Sequence, residues 1–323
     1  MTAPLLSIVV PAYNAEAYID GCLDSIAGSL EALSSTARDR VEVVVSENRS
    51  TDATPAIVDG HSLDCKVVRP DIHLVNRTEN WNLGLRSAAG SWRIMLHADD
   101  LLVPIGMKHL MDFLIKCPPA PIGMIYGQHQ MFTDPNAPVP PAPHWRRPAR
   151  IDGPSFRRWS LAWNCPFPPF TAFRGTIFEE LGGFDERFEL VQDWDFWLRV
   201  TQRHDLVYLP RPFGMWRSHP YGVRGAQRFA SEQLQVAAML SDRYGISNPF
   251  VRLAAETKAR AKARWFVSDG DLSVLMGRKL SWQPGRRTAL VIIRVGETMG
   301  RGINHLFRVG GTKAFDSVFQ TPS

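Results

Sequence analysis

Residues Leu5 to Val10 form an apolar run dominated by β-branched side chains, and the run stops at Pro11. Without polar alternation it has no face to give to water, so it reads as a strand buried on both sides. The period then changes. Tyr18, Ile19, Cys22, Leu23, Ile26 and Leu30 recur at helical spacing, with Asn14 positioned to cap that helix. Val41 to Val45 forms a second strand, and the polar turn Ser46 to Asp52 follows it. Pro55 suits the first turn of the next helix. Val67 and Val68 mark a short third strand. A helix is expected from Asn80 to Ala89, closed by Gly90. Trp92 to Leu96 is a fourth strand, running into His97-Ala98-Asp99-Asp100. Strands alternating with helices through short polar turns define an α/β chain. Its sheet should be mostly parallel, with helices on both faces.

In such sheets ligands bind beyond the carboxyl ends of the strands. Tyr13-Asn14, Glu47-Asn48 and Asp99-Asp100 all fall at those ends. Paired carboxylates suit Mg²⁺ or Mn²⁺, hard cations that take oxygen ligands and bridge to phosphates. The bland alternative is an N-cap for a helix beginning at Pro104.

The second half is less regular. Ile122 to Gln130, Phe170 to Arg174 and Phe213 to Arg217 read as strands, and Asp193 to Arg203 as a short helix. Pro135 to Pro148 is proline-rich and should be an irregular loop. After about residue 225 the pattern is helical, broken at Gly270 and Pro284. The expected division is therefore a catalytic domain over 1–224 and a helical C-terminal region over 225–323. The net charge of +5 is too small to argue for nucleic acid and is compatible with a pocket for phosphates. The four cysteines, Cys22, Cys65, Cys117 and Cys165, lack metal-binding spacing and read as free thiols of a reducing compartment. No leader pattern and no apolar stretch near the roughly 20 residues of a membrane span is evident, so a cytoplasmic location is expected.

Leu5-Leu-Ser-Ile-Val-Val-Pro-Ala-Tyr-Asn14 is the first of a series of short motifs. Together with Val44-Val-Ser-Glu-Asn-Arg-Ser-Thr-Asp52, Asn80-Trp-Asn-Leu-Gly84 and Leu96-His-Ala-Asp-Asp100, it resembles the family-2 glycosyltransferases of GT-A fold. Gly182-Gly-Phe-Asp-Glu186 and Gln192-Asp-Trp-Asp195 continue the resemblance, which covers roughly residues 5 to 220. Each motif alone is weak; six in order are specific.

The resemblance implies a role for each matching residue. Pro11, Tyr13 and Asn14 lie against the nucleotide, and Glu47 stands where the family usually has an Asp that binds the base. Asn80, His97 and Ala98 belong to the nucleotide-sugar group. The family's metal motif is Asp-x-Asp, and its first position here is His97. Asp99 matches the metal-binding position, with Asp100 as a second candidate there or on the ribose. Arg217 falls near the diphosphate, and His219 is a candidate third metal ligand. Asp193 matches the catalytic base and follows Gln192, where Glu is usual. Its bland alternative is an N-cap. Trp194, adjoining the base, is the candidate acceptor contact.

The implied reaction is transfer of a sugar, with inversion, from a nucleotide diphosphate donor to an acceptor hydroxyl, using Mn²⁺ or Mg²⁺. UDP-sugars lead as donors, with GDP- and dTDP-sugars open. The acceptor would be a saccharide or a lipid-linked sugar in glycan, polysaccharide or glycolipid synthesis. Arg146, Arg147, Arg150, Arg157 and Arg158 read first as a solvated loop, with an anionic acceptor or a membrane surface as the alternatives. Arg286, Arg287, Arg294 and Arg301, with Leu290, Ile292 and Ile293, suggest a basic, partly amphipathic helix, read first as packed on the catalytic domain and alternatively as lying on an anionic membrane. Two other readings are a non-catalytic nucleotide-sugar or partner-binding module and a sugar nucleotidyltransferase. The latter should carry a Gly-rich basic phosphate loop, which Pro11-Ala-Tyr-Asn14 is not.

Overall fold

A computed structural model describes residues 3–116, 122–128, 130–133, 148–154, 156–157, 170–218 and 223–246, with backbone only at 223–227 and 230. These residues fall into two compact units. One comprises the described residues up to 150 with 170–189 and 204–218; the other comprises 151–157, 190–203 and 223–246.

The first unit is built on strand β1, Leu6–Ala12, every residue of which is buried. It lies between two parallel partners, β2 (Val41–Glu47) and β4 (Trp92–Met95). This is why its sequence shows no alternation: both faces and both edges are covered. Strand β3, Lys66–Val68, adds to β2, also in parallel. Beyond β4 come β9 (Ala172–Arg174), β6 (Ile122–Tyr126), β10 (Asp205–Tyr208) and β8 (Ala149–Ile151). β9 is antiparallel to both β4 and β6, while β6 and β10 are parallel. The order is β3-β2-β1-β4-β9-β6-β10-β8, a mostly parallel sheet.

The chain steps from β1 to β2 to β3 in one direction, then crosses back to place β4 on the other side of β1. Right-handed crossovers therefore put helices α1 (Ile19–Glu31) and α3 (Thr54–Gly60) on one face and α4 (Arg77–Arg86) on the other. The strand order reverses between β1 and β4, and a crevice opens at such a point beyond the carboxyl ends. Helix α1 turns Ile19, Cys22, Leu23 and Ile26 inward. The short helix α2, Ser35–Arg38, precedes β2.

A second, three-stranded sheet ties the segment after β4 to a distant part of the chain. Strand β5 (Leu101–Leu102) pairs antiparallel with β11 (Gly214–Arg217), and β7 (Met131–Phe132) pairs parallel with β11. Helix α5, Pro104–Ile115, starts directly behind β5. The backbone of Val103 donates to Phe213 O. A Cβ added at Gly106 would sit 1.8 Å from Pro212 O. Only glycine permits this approach of α5 to the strand that delivers Arg217.

The sequence reading differs from the structure at several ends. The first helix starts at Ile19 with no side-chain cap, because Asn14 is engaged elsewhere. Helix α4 starts at Arg77, capped by Asn76, whose side chain accepts the Thr78 N–H. Asp100 does not cap α5, whose N-cap is Val103. The strand expected over 122–130 ends at Tyr126.

In the second unit, Gln192–Val200 forms the next helix. It follows α6 (Gly175–Glu180) of the first unit, so it is α7. Val223–Ala238 is α8. Cys22 and Cys65 are free thiols. Among the described residues no helix is long and apolar enough to cross a membrane. Cys117, Cys165, Arg146, Arg147, Arg158, His219 and the basic C-terminal segment lie outside the described residues.

Gly106→Ala is expected to cost about 3 kcal/mol of stability, since the blocking atoms are backbone and overpacking typically costs this much. A shift in the denaturation midpoint measures it; an unchanged midpoint would show that α5 is free to move away from Pro212.

Candidate active site at the strand ends

Two loops meet beyond the carboxyl ends of β1 and β2. Asn14 and Arg49 both adopt left-handed backbone, at φ 47° and 56°. Asn tolerates that region; Arg rarely occupies it. The conformations are held by a lattice of hydrogen bonds. Asn14 Oδ1 accepts the Thr51 N–H at 2.9 Å, and the Asn14 N–H donates to Ser50 Oγ at 3.0 Å. The Ala15 N–H donates to Thr54 Oγ1, the Glu16 N–H to Asp52 Oδ2, and the Ala53 N–H to Glu16 Oε2. Asn14 thus braces the loop that displays Tyr13, whose ring is 46% exposed. His73 stacks on Tyr13 with centroids 4.5 Å apart. His73 Nδ1 lies 3.0 Å from Asn48 O, and the buried Asn48 side chain makes two bonds to the backbone of Leu74.

Glu47 is buried at the end of β2. Its Oε1 accepts the Ser50 N–H at 2.7 Å, and its Oε2 accepts Arg69 Nε at 3.1 Å. Arg69 is a partner that the sequence reading missed. Its one signal was its place at the carboxyl end of β3.

The motif Asn80-Trp-Asn-Leu-Gly84 resolves into four separate contacts. Asn80 is buried and does not open the helix. Its amide donates to Ser46 O and Ala12 O, and its oxygen accepts from Ser46 Oγ at 2.7 Å. It thereby ties the ends of β1 and β2 to α4. Trp81 lies over the His97 ring, centroids 4.9 Å apart. Asn82 accepts the Phe184 N–H and donates to Phe184 O, both at 2.9 Å. This clasps the Gly182-Gly183 turn, whose residues sit at φ 73° and 84° and so require glycine. Gly84 passes so near β1 and β2 that a Cβ would lie 2.8 Å from Val9 Cγ1.

His97, Asp99 and Asp100 converge beyond β4, with one donor atom from each within 4.8 Å of the others. Asp100 is fully buried. Its Oδ1 accepts the Arg217 N–H at 2.8 Å, while its Oδ2 lies 3.6 Å from His97 Nδ1 and has no hydrogen-bond partner. Arg217 Nε donates to Asp99 O at 2.9 Å, and its guanidinium stacks over Tyr18 and Phe132. Burial pushes the Asp100 carboxyl well above the ordinary carboxylate range. The neighbouring charge of Asp99 adds to this, and the Arg217 N–H and charge oppose it. Burial pushes His97 down to about 4, with Asp99 pulling it up and Arg77 pushing it further down. A neutral imidazole therefore stands beside two carboxyls. A buried oxygen and the buried His97 Nε2 both lack partners, and leaving such groups unsatisfied costs free energy. This donor set fits a divalent cation, with nitrogen and oxygen ligands both offered.

Asp193 lies in the second unit, in the first turn of α7. It is not the N-cap, which is Val191; its Oδ1 accepts the Trp194 N–H at 2.7 Å. Trp194 is 9% exposed.

A sequence profile described as glycosyl transferase family 2 matches residues 7–182, more than half of the chain. The chain belongs to that family, and its fold is of GT-A type. A Haemophilus influenzae protein named an uncharacterized glycosyltransferase is 24% identical over 61% of this chain. That match spans 62% of the relative's length. A PGL/p-HBAD biosynthesis glycosyltransferase of Mycobacterium bovis is 26% identical over 64% of this chain and 73% of its own length. Among solved structures, S. aureus TarS in complex with UDP-GlcNAc superposes with a TM-score of 0.58 and 18% identity, covering 94% of this chain and 87% of that one. Mannosyltransferase PcManGT from Pyrobaculum calidifontis, in complex with GDP-Man and Mn²⁺, gives 0.56 and 19%, covering 95% and 85%. At such identities these two structures share the fold.

The His97 ring should titrate in NMR with a midpoint near 4 in EDTA. Because this lies below the ordinary 6.5, the neutral ring contributes stability that is complete above pH 6.5 and is lost as pH falls through about 4. His97→Asn should flatten that acid limb. A midpoint near 6.5 would contradict the burial described.

Proposed function

We propose that the chain moves a sugar from a nucleotide diphosphate donor, a UDP-sugar first among the candidates, to an acceptor hydroxyl with inversion at the anomeric carbon. The observation that carries this reading is the convergence of His97, Asp99, Asp100 and Arg217 on the point where the strand order reverses, beside the exposed Tyr13 ring. Tyr13, on its His73 backing, offers a stacking surface for a base. Glu47 and its partner Arg69 border the same strand ends and supply polar groups for the base edge. Pro11, Asn14, Asn80 and Ala98 serve the site through shape: Asn80 is consumed by backbone contacts and Asn14 by the facing loop. Asp99, with Asp100 and His97 beside it, would hold Mn²⁺ or Mg²⁺. His219 is retained as a further candidate ligand. A divalent cation bound there would offset negative charge on the departing diphosphate, an effect worth several kcal/mol. Arg217 adds a fixed positive charge next to Asp99.

Asp193 is the proposed base. As the acceptor oxygen bonds to the anomeric carbon and the bond to the diphosphate breaks, the acceptor's proton passes to the Asp193 carboxylate. Its place in the first turn of α7 favours the ionised form through the helix dipole. Gln192, buried beside it, adds no competing negative charge. Trp194 exposes only a narrow edge, which limits its proposed acceptor contact to that edge. The proposed acceptor is a saccharide or lipid-linked sugar. The sequence-contiguous division at residue 224/225, and any membrane contact by the C-terminal region, belong to this same reading.

Turnover of UDP-, GDP- and dTDP-sugars, read as release of the nucleoside diphosphate, tests it. Asp193→Asn should lower kcat by about 10²–10⁴, the usual range for general-base help, with little change in donor KM. Wild-type kcat in Asp193→Asn would remove the base assignment, and absence of turnover with all three donors would favour a binding module.

A further inference from the structure

The turn that presents Asp193 has no cap of its own. Val191, the N-cap of α7, offers no side-chain hydrogen bond to the first turn. The N–H groups at the start of a helix need acceptors, and a carboxylate is the acceptor that the dipole favours. A carboxylate about forty residues further along the chain takes the N–H groups of the N-cap Val191 and of Leu190 just before it. Glu232, on α8 and 3% exposed, accepts the N–H of Leu190 at 2.7 Å and of Val191 at 3.1 Å, both through Oε2. Its other oxygen accepts from Arg228 Nε at 2.9 Å, one turn earlier on the same helix. The carboxylate is thus aimed from behind and fixed at the front.

The other side of Asp193 is held as firmly. Asp195, two residues along, is fully buried. Its Oδ1 accepts from Tyr244 Oη at 2.6 Å and Arg243 Nε at 2.7 Å. Its Oδ2 accepts from Arg199 Nε at 2.9 Å and Arg243 Nη2 at 3.1 Å. Asp193 therefore lies between two anchors: residues 190–191, held by Glu232, and residue 195, held by Arg243 and Tyr244 together with Arg199 of α7 itself. A buried carboxylate with four donors and a second carboxylate on two backbone N–H groups form a charge-assisted network.

We infer that Glu232 is a positioning residue for the catalytic base. It fixes the backbone from which Asp193 reaches the acceptor, and the segment 228–246 is part of the catalytic apparatus as its brace. The inference rests on the reading of Asp193 as the base. Misplacing a reacting group by about 1 Å can cost roughly 10²-fold in rate, so the brace should be visible in kcat.

The test uses the full chain and the sugar nucleotide that the wild type turns over, comparing Glu232→Ala, Glu232→Gln, Arg228→Ala and Asp193→Asn. Thermal unfolding and hydrogen exchange of the 190–196 amides are measured beside the kinetics. Glu232→Ala should lower kcat by about 10- to 100-fold with donor KM within about twofold, and should speed exchange at Leu190 and Val191. Glu232→Gln keeps one oxygen able to accept both N–H groups and should recover most of the loss. Arg228→Ala, which only loosens the carboxylate, should fall between them. If Glu232→Ala fails to fold, the glutamine and Arg228 variants carry the test. Wild-type kcat in folded Glu232→Ala, or a loss of stability with kcat unchanged, would overturn the inference. An active Asp193→Asn would instead sink the base assignment, and a wild type that turns over no donor would remove both.

Discussion

The buried carboxyl of Asp100 is the constraint around which the first unit is arranged. A carboxylate removed from water is tolerable only when its oxygens find donors or a cation. One oxygen takes the backbone N–H of Arg217, which requires that β11 run alongside β5. That pairing in turn requires α5 to press against Pro212 at a glycine. The other oxygen is left facing His97, with no donor among the described residues. The fold thus holds Arg217 in place and leaves an unsatisfied carboxyl oxygen where a cation could be bound. Burial, the force that makes this oxygen costly, also keeps His97 neutral and its nitrogens available.

Around that centre, short motifs act as tertiary clasps. Asn80, Trp81, Asn82 and Gly84 are adjacent in sequence but serve four partners: two strand ends, the His97 ring, the Gly182-Gly183 turn and the surface of β1. A single helix spaced at 3.6 residues per turn can present these side chains in different directions, so one segment coordinates several parts of the site. Asp193 is organised by the same logic at longer range, with its turn held by Glu232 and by the partners of Asp195. In both cases the side chains that do the holding are not the ones that would meet substrate.

Much of this was legible in the sequence. Strands β1, β2 and β4 announced themselves because strands buried on both faces must be apolar throughout. The polar clusters that follow them in the sequence fall at the carboxyl ends of those strands, where the candidate site lies. What could not be read were the contacts between distant residues. Asn14 and Asn80 looked like helix caps because Asn serves that role locally, and nothing in their neighbourhood shows that Thr51 and Ser46 claim them instead. Arg69 beneath Glu47, Trp81 over His97 and Glu232 behind Leu190 leave no periodic trace. The alternative reading of Asp193 as an N-cap fails because Val191 holds that place, and the carboxylate that takes the Val191 N–H comes from another helix.

The central claim is that His97, Asp99 and Asp100 bind a nucleotide diphosphate together with a divalent cation. The most direct measurement is thermal stabilisation by UDP, GDP and dTDP, with Mn²⁺, Mg²⁺ or EDTA, for wild type and Asp99→Ala. A ligand at about 100 times its Kd stabilises the fold by roughly 2.7 kcal/mol. The account predicts a shift with one nucleotide that needs the cation and disappears in Asp99→Ala. A shift of equal size in EDTA, or one retained in Asp99→Ala, would contradict it.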